Sequence, residues 1–144
     1  MHIRDLTISP TSGVDEAYRG TYRGAHQTGT KNAQGDATAF DYIKELGVNV
    51  VQLQPVTDRY KAYDEEGNVL YNWGYDVQNY SAPETWYSTK PHDPKTTMRE
   101  LKEIGRASCR EECRSRWLWM SFIIISIRQK MVPFKKLFLI ITTG

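Results

Sequence analysis

The chain has 144 residues, enough for one domain with a single core, and its formal net charge is +2. That net value hides an asymmetry: residues 1–102 hold 11 Lys/Arg against 14 Asp/Glu, whereas residues 103–144 hold 8 against 3. The first part therefore offers no basic face for nucleic acid. The apolar run 118–127 is interrupted at Arg128 and Lys130, short of the roughly twenty residues a bilayer span requires. Neither a nucleic-acid nor a membrane partner is expected.

In chain order, residues 2–8 (HIRDLTI) place Ile3, Leu6 and Ile8 among polar neighbours, which predicts a first strand carrying His2, Arg4 and Asp5. No secretory pattern opens the chain, and Met1 reads as an internal methionine, which leaves the compartment undetermined. Residues 9–35 are rich in Ser, Gly, Thr and Asn and predict a long irregular connection. A helix follows. Thr38 and Asp41 have the spacing of a capping box, Ala39, Phe40, Ile43 and Leu46 share one face, and Gly47 suits the left-handed position after the last turn. The β-branched run 48–56, stopped near Pro55, predicts a second strand, so that strand, helix and strand form a βαβ unit.

Residues 56–93 read as a long loop with Asp64, Glu65, Glu66 and a turn at Gly67. Its second half, residues 71–87 (YNWGYDVQNYSAPETWY), holds six aromatic rings among Asn, Asp, Gln, Gly and Pro. A pyranose offers an apolar C–H face for stacking and a rim of hydroxyls for amides and carboxylates, so this mixture suits a sugar. Plain packing and a protein-contact surface suit it as well. Asp93 and Pro94 then open a second helix, with Met98 and Leu101 on one face. Cys109 and Cys113 stand one helical turn apart without a second pair or a histidine cluster, so no metal site is expected.

Residues 103–117 (EIGRASCREECRSRW) resemble the translation of a widely used short-read sequencing adapter, with one base lost from an A-run. That resemblance implies a division into residues 1–102 and a non-native tail, residues 103–144, in which the second helix never delivers the chain to a third strand.

Residues 1–102 resemble the start of the catalytic domain of glycoside hydrolase family 13, in its type I pullulanase branch of starch-debranching enzymes. The stretches that carry the resemblance are MHIRDLTISPTSGV, FDYIKELGVNVVQLQPV, YNWGYDVQNYSAPETWYST and DPKTTMRELKE; Gln54 and Val77 depart from the Leu and Pro often found there. The resemblance implies an α/β fold, a truncated (β/α)8 barrel comprising the first βαβ unit plus the loop and helix after strand 2, with its active site at the C-terminal ends of the strands. It implies substrate-binding roles for Tyr75, stacking on the sugar beside the scissile bond, for Asp76, ordering the wall by hydrogen bonds, and for Trp73, supporting it. It implies no catalytic residue in this chain: the nucleophilic Asp and the acid/base Glu of the retaining mechanism come from later strands, and Asp58, Asp64 and Glu84 lack the family's motifs. The implied substrate is an α-glucan with α-1,6 branches, as in pullulan, starch or glycogen, and the chain alone is expected to be inactive. No cofactor is expected. Calcium occurs in members of the family, but no complete oxygen-ligand loop is visible here. An isoamylase, a branching enzyme, an α-amylase or a non-catalytic glycan-binding piece are the alternatives. A partial barrel leaves strand edges open, so poor packing or aggregation is expected.

Overall fold

A computed structural model describes residues 1–48, 50–109 and 116–119. The described chain is α/β, with α1 (Ile3–Thr7), α2 (Ala39–Glu45), β1 (Val50–Leu53), β2 (Thr57–Arg59), β3 (Val77–Pro83), α3 (Pro94–Cys109) and β4 (Arg116–Trp119). Short 3-10 turns at Pro10–Ser12, Glu16–Tyr18, Gly24–His26 and Thr85–Tyr87 punctuate the connections.

The predicted first strand is a helix. The His2 side chain accepts a hydrogen bond from the Asp5 amide, and the Leu6 and Ile8 amides donate to the His2 and Arg4 carbonyls at 3.1 and 2.9 Å. A local side-chain cap competes with extended backbone and wins here. The strand-like residue is Met1. Its amino group donates to the Gln52 carbonyl at 2.5 Å and its carbonyl accepts the Gln54 amide at 2.7 Å, the pattern of a parallel bridge about Leu53. On the opposite edge β1 pairs in parallel with β4, Val50 facing Arg116 and Leu53 facing Trp119. The predicted βαβ unit over residues 2–56 is therefore not formed as such; the parallel pair is β1 and β4, and the chain passes through α3 between them.

Helix α2 lies where the sequence places it but is capped otherwise. Thr38 makes no side-chain cap; its hydroxyl donates to the Ser12 carbonyl at 2.5 Å. Asp41 does not reach back to the Thr38 amide either, which donates to the Thr30 carbonyl at 3.1 Å; its carboxylate accepts the Thr30 amide at 2.8 Å and the Lys44 ammonium at 3.4 Å. Both side chains fasten the preceding loop to the helix. Ala39 is held at φ +46° at the helix start. Phe40 and Ile43 face the core, whereas Leu46 is 53% exposed and Gly47 takes the left-handed conformation at φ +65°.

The predicted loop over residues 56–93 contains a second sheet. β2 and β3 pair antiparallel with register shifts between Thr57 and Arg59, and a bridge from Tyr63 to Val69 extends the arm. The turn at its tip is tied by Asp64, whose carboxylate accepts the Glu66 and Asn68 amides at 3.0 and 2.7 Å. Asp93 caps α3 as expected, accepting the Lys95 amide at 3.0 Å and the Thr96 hydroxyl at 2.6 Å. The inward face of α3 carries Thr97, Leu101 and Ile104, while Met98 turns outward. Buried Glu100 clamps the preceding segment by accepting the Thr89 amide at 2.9 Å and the Thr89 hydroxyl. The helix runs without interruption across residues 102 and 103 to Cys109, and it does deliver the chain to β4. Cys113 and the apolar run 118–127, beyond Trp119, lie outside the described residues. Among those described, no helix is long and apolar enough to cross a membrane.

One apolar cluster unites these pieces. Ile3 of α1, Tyr22, Phe40 and Ile43 of α2, Leu53 of β1, Tyr87, and Leu101 and Ile104 of α3 pack together. The same cluster carries the base of the aromatic loop, through Tyr87.

Candidate functional site: an aromatic wall on a buried polar base

The loop of residues 71–76 leaves the arm and enters β3. Asn72 accepts the Gly74 amide at 2.8 Å, a local turn bond of a kind Asn makes readily. Gly74 sits at φ +92°, buried, where an added Cβ would meet Pro55 at 3.4 Å. The positive φ is what requires glycine, a conformation that L side chains avoid, while the added Cβ would make only an ordinary contact with Pro55. Trp73 and Tyr75 flank this contact and project outward, 52% and 54% exposed. Asp76 is exposed too; its backbone carbonyl accepts the Tyr60 amide at 2.8 Å, which ties the loop to β2. The three residues singled out from the sequence thus stand together on one short loop, two of them as open rings.

Under the loop lies His2, 5% exposed. Its ring makes edge contacts with Tyr71, Trp73 and Tyr87 at centroid distances of 6.2, 5.5 and 5.6 Å. Trp73 also meets Tyr71 at 6.4 Å. Tyr71 is held from the other side: its hydroxyl donates to Asp5 at 2.7 Å, and the Arg4 guanidinium lies 4.6 Å over its ring while bonding the same carboxylate at 3.1 Å. Arg4 is half-buried against this ring, not sealed in a barrel interior.

Deeper still, Tyr87 faces His2 with its hydroxyl 3.0 Å from Nε2 and crosses Tyr22 at 5.7 Å with the rings perpendicular. Tyr22 donates to the Glu84 carbonyl at 2.9 Å. Burial pushes the Tyr87 phenol up to about 12, against the pull of Arg59, and raises the Tyr22 phenol as well. Burial lowers His2, with Asp5 opposing, so its imidazole favours the neutral form.

Glu84 is fully buried. One oxygen accepts the Trp86 amide at 2.9 Å and stands 3.6 Å from the Lys61 ammonium; the other accepts the Arg59 amide at 3.1 Å and stands 3.5 Å from the Arg59 Nε. A carboxylate engaged on both oxygens is a structural brace for β2 and the Thr85–Tyr87 turn, not a free nucleophile. Arg59, 5% exposed, leaves its Nε and Nη1 without a hydrogen-bond partner among the described residues. Asp58 pairs with Lys61 at 2.6 Å, and Asp64 is spent on its turn. Among the described residues no group of three His, Cys, Asp or Glu side chains could hold a metal ion.

His2 and the Arg59–Glu84–Lys61 cluster are the residues the sequence reading missed. A histidine in an alternating segment and a glutamate in a polar loop carry no periodicity. The one available signal was the crowd of charges on both sides of an aromatic stretch, which does not say which of them is buried.

No family model matches the chain. It is 41% identical over 104 residues to a pullulanase of Bacillus subtilis (strain 168), covering 72% of this chain and 14% of that protein. It is 30% identical over 109 residues to the chloroplastic isoamylase 3 of Oryza sativa subsp. japonica, covering 72% of this chain and 12% of that one. Among solved structures, it superposes on the Anoxybacillus sp. LM18-11 pullulanase complexed with maltotetraose with a TM-score of 0.74 at 43% identity, covering 84% of this chain and 17% of that chain. The type I pullulanase of B. subtilis complexed with maltose gives 0.72 at 37% identity, with 83% and 16% covered. The chain thus spans less than a fifth of the length of each of these relatives.

Proposed function

We propose, from the premise that this chain is a segment of a pullulanase-like protein, that it forms one wall of a glucan-binding site in a starch-debranching glycoside hydrolase. The parent would cleave α-1,6-glucosidic branch links of pullulan, starch or glycogen by the retaining mechanism. Two carboxylates about 5–5.5 Å apart would supply nucleophile and acid/base there. The observation that carries this reading is the pair of half-exposed rings, Trp73 and Tyr75, on a loop held rigid from beneath by Gly74, His2 and Tyr71. Open rings on a fixed base are what stacking on a pyranose requires.

In this reading Tyr75 is the stacking platform, Trp73 its neighbour and support, and Asp76 orders the loop, its carbonyl already tying the loop to β2. The frame is the opening part of a (β/α)8 barrel. Support for it comes from the parallel bridge of Met1 beside β1 and from the likeness to pullulanases solved with maltooligosaccharides. Among the described residues the buried carboxylates, Glu84 and Glu100, are both engaged in hydrogen bonds, and in this reading the chain alone binds without cleaving. The domain division stays part of the proposal: residues 103–144 are non-native sequence, and what supports this is the adapter-like run over residues 103–117. Long-read sequencing of the source DNA through codon 103 tests it, and an uninterrupted natural frame encoding residues 103–144 would sink it.

The functional test is a calorimetric titration of the chain with maltotetraose, beside Tyr75→Ala. Binding that weakens tenfold or more in the variant supports the wall; equal heats for the two proteins refute it. The isoamylase similarity favours a second reading, in which the parent is an isoamylase. Comparing pullulan with glycogen as substrates for the full-length parent separates the two.

A further inference from the structure

We propose that His2 is a positioning residue for the aromatic wall, and that its protonation redistributes the Asp5 carboxylate between Tyr71 and His2 itself. The geometry contains both halves of that exchange. His2 Nδ1 accepts the Asp5 amide at 3.3 Å, so the neutral ring carries its proton on Nε2, 3.0 Å from the Tyr87 hydroxyl. In that state the Asp5 Oδ2 is taken by the Tyr71 hydroxyl at 2.7 Å and Oδ1 by Arg4 at 3.1 Å.

A second proton on the ring must go to Nδ1, which then stops accepting and becomes a donor. The Asp5 amide loses its partner. An acceptor already facing Nδ1–H is Asp5 Oδ2, 3.5 Å away, the same atom that holds Tyr71. A charge-assisted bond of about 2.8 Å draws that oxygen away from the phenol. Tyr71 packs against both Trp73 and His2, so the shift passes directly to the exposed ring of the wall.

The charged and titratable groups facing His2 come from every element around it. Arg4 and Asp5 lie on α1, Arg59 on β2, Tyr71 on the loop and Tyr87 on the 3-10 turn. Arg4, Arg59 and burial oppose the proton, while Asp5 and the Trp73 carbonyl favour it; burial is the largest of these, which keeps the latch in its neutral form at pH 7. The consequence for sugar stacking rests on the glucan-wall reading above. The coupling of His2 to Trp73 does not.

The test is an NMR pH titration of the whole chain that follows the His2 imidazole and the Trp73 indole. Trp86, which lies against His92 at 6.3 Å, serves as the comparison ring. The Trp73 indole shift is expected to move with the His2 midpoint. Asp5→Asn keeps an acceptor for Tyr71 and should lower that midpoint. His2→Asn keeps a cap acceptor for the Asp5 amide but cannot titrate, and should abolish the Trp73 step. A Trp73 signal that stays flat through the His2 midpoint overturns the proposal, as does a step that survives in His2→Asn. Maltotetraose added on either side of the midpoint separates the two ideas: no binding at either pH counts against the glucan wall, and a flat Trp73 signal counts against the latch.

Discussion

Replacing Glu84 by glutamine changes almost no volume and tests the buried brace directly. In the native chain its two oxygens accept the Arg59 and Trp86 amides at 3.1 and 2.9 Å, with Arg59 and Lys61 cations within 3.5 and 3.6 Å. The amide of the variant retains one acceptor oxygen and turns an NH2 group toward a backbone donor. One buried N–H is orphaned, at about 1–3 kcal/mol, and buried Arg59 loses its counter-charge. Removing one partner of a buried ion pair costs about 3–5 kcal/mol in all. Lys61 adds little to that figure because it is partly exposed and keeps Asp58 at 2.6 Å. With a urea slope of about 2 kcal/mol/M, the unfolding midpoint should fall by about 2 M. The double variant Glu84→Gln/Arg59→Met removes both charges and should recover part of the loss, giving a positive coupling in the cycle. A Glu84→Gln midpoint within about 0.2 M of wild type would refute the brace, and strictly additive losses would show that the two side chains do not act as a pair.

Four further outcomes follow from other parts of the fold. Leu53→Ala, at a fully buried position between Met1 and β4, should cost about 2–5 kcal/mol in the same urea assay, whereas Leu46→Ala, at an exposed position, should stay within about 0.5 kcal/mol. Gly13→Ala should destabilise more than Gly47→Ala. Both sit at positive φ, which alone costs about 1–2 kcal/mol, but a Cβ at Gly13 would lie 2.2 Å from the Lys31 carbonyl while none at Gly47 meets an atom within 4 Å. Stability should also depend on pH through His2 and His26, both lowered by burial. The unfolded chain then binds protons more readily than the folded one, so stability is complete above about pH 6.5 and is lost as pH falls through the folded values; urea midpoints that do not change between pH 7 and 5 would contradict this. Tyr22→Phe, which deletes the buried donor to the Glu84 carbonyl at 2.9 Å, should cost about 1–2 kcal/mol as read by thermal melting.

Legibility in the sequence followed the range of the interaction. Helix α2 and the start of α3 were readable because their signals are local: Asp93 before Pro94, Gly47 after the last turn, and Phe40 and Ile43 at helical spacing. The loop residues Trp73, Tyr75 and Asp76 could be singled out because six rings among amides and glycines are conspicuous in composition. Residues 2–8 misled because alternation was judged over a few residues, too few to distinguish a strand from one helical turn held by a His2 cap. The β2–β3 hairpin stayed hidden for a related reason. Its register slips twice in three residues, so it has no clean period of two. The capping box had the right residues at the right spacing, yet Thr38 and Asp41 found partners in Ser12 and Thr30, far along the chain.

What the sequence determined by itself was the α/β character, the positions of α2 and β1 and the cap of α3; the aromatic stretch it marked as a candidate. Each rests on neighbours within about one helical turn, where spacing dictates geometry. Only the tertiary structure decided that His2 lies under Trp73, 71 positions away in the chain, that Glu84 is sealed between Arg59 and Lys61, and that Met1 pairs beside β1. Those contacts join residues that share no pattern, and burial, which sets the charge state of each, exists only once the chain has closed on itself.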